Sequence, residues 1–118
     1  MAFPVGAETV LVHIGPMCTN DGVIHINGTA KVVPSDSATH TPTKTHLSTG
    51  TVTVPIIEGI GTVTLVASNA TGVTPPNRTY SFTFDLRDLL GAPVNVTARR
   101  VRLDKDEPEV WLELLGDT

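Results

Sequence analysis

The sequence predicts an all-β domain, an antiparallel β-sandwich of about seven strands with an immunoglobulin-like or fibronectin-III-like arrangement. The 118 residues include 18 Thr and 15 Val, β-branched residues that favour a pleated, half-buried backbone. Nine Pro and ten Gly interrupt nearly every window before a helix could reach three turns. The length fits one domain, residues 1–118, with a core that needs no disulfide.

Seven extended segments are predicted: residues 8–14, 23–33, 45–57, 61–68, 79–86, 94–103 and 109–115. The first segment places Val10 and Val12 on one face. In the second, Gly28 predicts a bulge or bend, because glycine inside a strand often marks a local distortion of the ladder.

The third and fourth segments alternate threonines with aliphatic residues. Val52 and Val54 are separated by threonine in the third segment. In the fourth, Val63 and Leu65 are expected to point inward, with the threonines between them facing solvent.

The fifth segment has the most regular pattern. Tyr80, Phe82, Phe84 and Leu86 fall on one face, and the residues between them are Ser, Thr and Asp. A strict period of two over eight residues predicts a strand with one dry face and one wet face.

The sixth segment changes parity along its length. Val96 belongs to one face and Val101 to the other, so one extra residue is needed to keep both inward. We predict a bulge near Arg99 and Arg100 that restores the register.

Turn residues separate these segments. Asn20-Asp21-Gly22 predicts a tight hairpin, residues 58–61 another, and the paired prolines within residues 74–77 an extended corner. Short strands at this spacing indicate a sandwich or barrel. The wholly polar stretch 34–46 predicts a long surface loop.

Charge and cysteine content exclude several functions. Eight cations against twelve anions argue against a nucleic-acid or anionic-membrane partner, and no apolar run approaches membrane-spanning length. The single cysteine, Cys18, has no basic neighbour to activate it and excludes an internal disulfide. The N-terminus lacks the pattern of a secretory signal.

The sequence predicts neither an enzyme nor a cofactor. Four histidines, His13, His25, His40 and His46, show no spacing typical of a metal site. Nucleophile elbows, phosphate loops and dinucleotide fingerprints are also missing from the sequence.

A basic cluster and an acidic tail are candidates for partner contacts. Arg99, Arg100 and Arg102 precede the acidic C-terminal segment 104–118. Two solvated surfaces are one interpretation, and a charge-complementary contact between neighbouring copies in an assembly is the other.

The seventh segment, residues 109–115, reads either as a short strand or as a single helical turn. Its apolar residues include Trp111, Leu112 and Leu115, and Trp111 is the only tryptophan. Either this segment packs back onto its own sandwich or it anchors a partner, as aromatic residues often do at interfaces.

Several motifs resemble a known family of viral domains. Residues 28–35 form a strand that runs from a glycine to Pro-Ser, residues 61–69 read GTVTLVASN, and residues 74–82 read TPPNRTYSF. This order resembles the N-terminal immunoglobulin-like β-sandwich domain of minor tail, baseplate upper and receptor-binding proteins of actinobacteriophages. One departure is Arg78, which stands near a position where the family usually has an aromatic residue.

The resemblance implies a structural module of a phage virion that folds in the bacterial host cytoplasm and then assembles with other virion proteins. A tail-tip, baseplate or fibre-associated position is the expectation, with further copies of the chain in a symmetric assembly. A capsid decoration or head-fibre protein is an alternative. A carbohydrate-binding module is another, since many share the sandwich architecture.

Overall fold

The computed structural model describes Phe3, residues 6–18, Gly22, and residues 26–76, 78–88 and 90–115. Within these residues the chain forms eleven strands and a short 3-10 helix at Leu112–Leu114. The strands are β1 Thr9–Ile14, β2 Asn27–Pro34, β3 Ala38–His40, β4 Thr45–Leu47, β5 Val52–Ile56, β6 Gly61–Val66, β7 Val73–Thr74, β8 Tyr80–Arg87, β9 Pro93–Val94, β10 Arg99–Val101 and β11 Glu109–Trp111.

Two sheets form the sandwich that the sequence predicts. One has the strand order β11-β1-β6 and the other β10-β8-β2-β5, with β9 also pairing with β8. The inward side chains of both sheets, such as Val12 and Phe82, belong to one buried hydrophobic cluster. The fold is therefore an all-β sandwich, and a small sheet of order β4-β3-β7 adds to it.

The aromatic row predicted in the fifth segment is confirmed in β8. Tyr80, Phe82 and Leu86 are buried, Phe84 is half-buried, and Phe82 has no exposed surface. The alternation also holds in β1, whose even-numbered residues are all buried. In β6, Leu65 is buried as expected. Period-two burial from both sheets thus builds the core.

Gly28 lies in a continuous ladder and not in a bulge. It pairs with Ile56 on one side and Leu86 on the other, with no extra residue in either register. Its φ is +152°, and a Cβ atom there would lie 2.1 Å from the carbonyl oxygen of Asp85. Of the predicted bulge or bend, the bulge was wrong, because this glycine serves a close backbone approach. Residues 23–25 and the Asn20-Asp21 turn fall outside the described residues.

The stretch 34–46 is a β-hairpin for part of its length, and the prediction of a long surface loop was wrong there. β3 pairs with β4 and with β7, and it buries Ala38 and His40. The polar composition suggested a loop, but threonine is a good strand former, and backbone pairing does not require apolar side chains. The third predicted segment also divides, since β4 and β5 lie in different sheets.

The register change predicted in the sixth segment is present. Leu86 of β8 lies opposite Val94, whereas Phe82 lies opposite Arg99, so one extra residue is accommodated between β9 and β10. The irregularity occupies residues 95–98, just before the position expected from the sequence. It allows Val101 to face the core.

A tight hairpin joins the two large sheets. Ile57 and Ile60 exchange backbone hydrogen bonds of 3.0 and 3.1 Å around Glu58 and Gly59. Those two residues have φ values of +53° and +77°, the pattern of a two-residue hairpin turn. The turn predicted at residues 58–61 is confirmed. It places the end of β5, which pairs with the start of β2, beside the start of β6.

Candidate functional site

The C-terminal segment both completes the core and exposes an aromatic residue. β11 pairs in parallel with β1, with Val110 opposite Val12. Val110 and Leu112 are buried, and Leu115 packs partly buried against the core. Trp111 points the other way and is 43% exposed. Residues 109–114 are a strand followed by a helical turn, so each of the two sequence interpretations describes one part of the segment.

Trp111 belongs to a small polar and aromatic cluster on the outer face of β1 and β11. Its indole stacks on the imidazole of His13, with ring centroids 4.7 Å apart and planes at 18°. Nε2 of His13 lies 2.7 Å from a carboxylate oxygen of Glu109. Nearby, the Gly15 amide donates a 2.7 Å hydrogen bond to Glu113. These contacts fix the tail against the first strand.

The three arginines do not form one patch. Arg99 is half-buried on the inward parity of β10, and its guanidinium donates a hydrogen bond to the carbonyl oxygen of Leu115. Arg100 and Arg102 are exposed on the opposite parity. Arg99 is thus engaged by its own C-terminal segment, and its side chain lies on the opposite face of the strand from Arg100 and Arg102.

Part of the acidic tail is also used within the chain. A carboxylate oxygen of Asp104 accepts hydrogen bonds from the Asp106 amide at 2.9 Å and from the Asn69 side chain at 3.1 Å. These two donors, the backbone amide first, hold the pKa of Asp104 below its ordinary value. Glu109 is bound to His13.

The histidines and the cysteine lie in separate places. His40 is buried, with Nδ1 2.7 Å from the hydroxyl oxygen of Thr43, and His46 lies in β4. Cys18 is exposed and unpaired, and His25 falls outside the described residues. Within the described part of the chain, no three His, Cys, Asp or Glu side chains are grouped closely enough to hold a metal ion.

One end of the sandwich carries exposed aliphatic side chains that the sequence analysis did not single out. We call Ile57, Ile60, Leu90 and Leu114 the apolar end. Ile57 and Ile60 flank the β5–β6 turn, Leu90 follows β8, and Leu114 follows β11. The strand registers place these chain positions at the same end of the sandwich. Leu90 is 91% and Leu114 83% exposed.

At the opposite end, a cavity of about 300 Å³ opens between the sheets. Its walls are mainly apolar and include Phe3, Leu47, Val52, Leu65 and Val66. A smaller set of polar side chains also borders the cavity, namely Thr45, His46, Ser48, Arg78 and Tyr80.

Arg78 is the unusual member of this lining. It is 2% exposed, and its Nε and Nη2 atoms have no hydrogen-bond partner within the described chain. The guanidinium carbon lies 5.8 Å from the ring centroid of Tyr80. Breaking a buried charge pair costs roughly 3–5 kcal/mol because it leaves one charge uncompensated. A guanidinium placed in this way is therefore a candidate for a ligand contact.

The ring of Tyr80 lies against the guanidinium of Arg78. Its hydroxyl donates a 2.6 Å hydrogen bond to the carbonyl oxygen of Val66, so it is already engaged. Burial raises the pKa of Tyr80, and the positive charge of Arg78 opposes that rise only in part. The hydroxyl of Tyr80 therefore remains a neutral donor across the physiological pH range. Its ring makes a cation–π contact with Arg78.

The sequence contained a signal for Arg78. Arg78 lies two residues before Tyr80, so if the chain stays extended there its side chain points to the same inward face as Tyr80 and Phe82. An arginine that continues an inward-facing row of apolar side chains is expected to be buried with its charge. Arg78 also stands near a position where the resembled family usually has an aromatic residue.

Comparison with protein-family models, curated proteins and solved structures found no match for this chain. Within the described residues, no helix is both long and apolar enough to span a membrane.

Proposed function

We propose that this chain is a non-enzymatic structural module of a phage virion, a tail-tip, baseplate or fibre-associated adaptor that assembles through protein–protein contacts. The viral setting derives from the resemblance of residues 28–35, 61–69 and 74–82 to phage tail domains. The assembly role is supported by one structural observation, the high exposure of the four aliphatic side chains at the apolar end.

The apolar end suits a contact with a neighbouring subunit. Scattered exposed aliphatic residues are normal on a protein surface, but a group at one end marks an interaction site. Ile57 and Ile60 flank a tight turn whose hydrogen bonds hold the backbone in place, so little backbone entropy is lost when a partner covers them. We propose that this end contacts other virion proteins or further copies of the chain.

The test is to locate the chain and then to disrupt the apolar end. Quantitative mass spectrometry and cryo-electron microscopy of particles from the encoding strain should find it at a fixed copy number. A copy number equal to that of tail subunits supports the tail position, and one near that of capsid subunits supports the alternative of a capsid decoration or head-fibre protein. Its absence from particles would overturn the viral assignment.

The assembly contact has its own test, with a matched control. The double variant Ile57→Ser/Ile60→Ser should weaken association, measured by analytical ultracentrifugation with the isolated partner or with the chain itself, by about tenfold or more. Val33→Ser removes an exposed aliphatic side chain at the other end and should leave association unchanged. Equal effects of both variants would refute the assembly role of the apolar end.

A carbohydrate-binding module is a second candidate because of Trp111. Its ring is partly exposed on the outer face of a sheet, beside His13 and the carboxylate of Glu109. Flat aromatic surfaces next to polar groups are typical of sugar sites. Binding on a glycan array that disappears in Trp111→Ala would support this function, and an array without signal would exclude it for the glycans displayed.

A further inference from the structure

The cavity bordered by Arg78 contains the features of a small ligand site. Its volume of about 300 Å³ lies at the lower limit for ligand pockets, most of its lining is apolar, and only a few polar groups converge on it. The pocket opens between the ends of β5, β6 and β8, away from the apolar end. It is therefore independent of the surface that we assign to assembly.

Arg78 supplies the chemistry of that site. A guanidinium stays protonated in any protein environment, so burial cannot neutralise it. Among the described residues no carboxylate pairs with it, and Nε and Nη2 are both without an acceptor. A guanidinium that borders an apolar cavity and has no carboxylate partner matches an anionic ligand group, since hydrogen bonds between two charged groups are the stronger ones.

The remaining lining defines the rest of the ligand. Phe3, Leu47 and Val52 offer an apolar wall, which a short hydrocarbon chain would cover and a sugar or a phosphate would not. Among the described residues of the lining, Arg78 is the one permanently charged cation, so a monoanion is balanced there and a dianion is not. Thr45 and Ser48 add hydroxyl groups at the same cavity.

We infer that the Arg78 pocket binds a monocarboxylate carrying a short apolar chain, with its negative charge beside the guanidinium. Two sources share this chemistry: a free organic acid, or the C-terminal carboxylate of a peptide that ends in an apolar residue. The inference does not depend on the viral assignment, because it concerns a different end of the molecule and a different ligand.

Isothermal titration calorimetry on the full chain tests the charge requirement. Hexanoate should bind saturably, and hexanamide, which has the same chain without the negative charge, should bind at least tenfold more weakly. A tripeptide ending in leucine, compared with its C-terminal amide, tests the second source in the same way. Equal binding of the acids and amides, or no saturable binding of either acid, would overturn the inference.

Variants of Arg78 test the residue itself. Arg78→Met keeps an unbranched stem without the charge and should abolish hexanoate binding, while Arg78→Lys keeps the charge without the planar fork and should weaken binding by less. Circular dichroism identifies folded variants. Hexanoate should raise the melting temperature of the wild type and leave that of Arg78→Met unchanged.

A second variant leaves Arg78 intact. Ser48→Trp places a large side chain at the cavity lining, in a segment outside the two large sheets, and should block hexanoate without loss of fold. Thr53→Trp, on an exposed position of β5 outside the lining, is the matched control and should bind as the wild type does. Unchanged binding in Ser48→Trp or in Arg78→Met would place the ligand elsewhere and refute the assignment.

Discussion

The indole of Trp111 lies flat against the imidazole of His13, with ring centroids 4.7 Å apart, across a pair of parallel strands from opposite ends of the chain. The same imidazole contacts Glu109, so one side chain of β1 holds two of β11. Below this outer face, Val110 and Leu112 enter the core. The contact joins the last strand to the first and covers the backbone edge of β1.

Truncation after Asp106 should destabilise the whole domain. It removes Val110 and Leu112, and burial of two such side chains contributes roughly 3–6 kcal/mol. It also exposes the backbone edge of β1, which is prone to pairing with other chains. Differential scanning calorimetry should find a large fall in melting temperature or no cooperative transition. An unchanged transition would mean that the tail is not part of the core.

Phe82→Ala should be among the most damaging single substitutions. Phe82 is fully buried in β8, and the loss of a buried phenylalanine costs about 3–5 kcal/mol. Phe84→Ala, two residues along the same face, is the matched control and should cost clearly less because that ring is half-buried. Urea unfolding measures both free energies. A reversed order of the two costs would contradict the packing of the aromatic row.

Gly28→Ala should destabilise the second sheet by at least about 2 kcal/mol, because its backbone conformation is one that alanine resists. In addition, the new Cβ would lie 2.1 Å from the carbonyl oxygen of Asp85, so two strands would have to separate. Gly50→Ala is the control, since its Cβ would meet only the Ser48 hydroxyl at 3.2 Å. Comparable unfolding free energies for the two variants would rule out the close approach at residue 28.

Acid should weaken the fold through Glu8. The backbone amide of Thr71 donates to both of its carboxylate oxygens, at 3.0 and 3.1 Å, and this lowers the pKa of Glu8 from 4.5. A pKa that is lower in the folded state contributes stability above the ordinary value, and that stability is lost as the pH falls through the folded-state value. We therefore expect the melting temperature to fall below about pH 4.5, and part of that fall to disappear in Glu8→Gln.

The control for the acid experiment is Glu107→Gln. Glu107 is exposed, and its side chain accepts no hydrogen bond within the described part of the chain. This variant should keep the pH dependence of the wild type. If Glu8→Gln and Glu107→Gln gave the same profile, the contact with Thr71 would not be the source of the acid sensitivity.

Local pattern in the sequence was sufficient for the strands and for several details. Alternation from Tyr80 to Leu86 predicted which side chains enter the core, and the residues around Gly59 predicted a tight hairpin. The parity change before Val101 predicted an extra residue in that strand. Each of these depends on residues close in the chain, where side-chain direction and turn chemistry act without reference to distant partners.

Contacts between distant segments decided the rest. The parallel pairing of β11 with β1, the hairpin within residues 34–46 and the burial of Arg78 depend on which strands meet, and strand order is not encoded in any single segment. The sequence by itself determined that this protein is an all-β sandwich. Only the tertiary structure brought four exposed aliphatic residues to one end and, to the other, a buried guanidinium with two nitrogens that lack a partner within the described chain, because both result from long-range registers between strands.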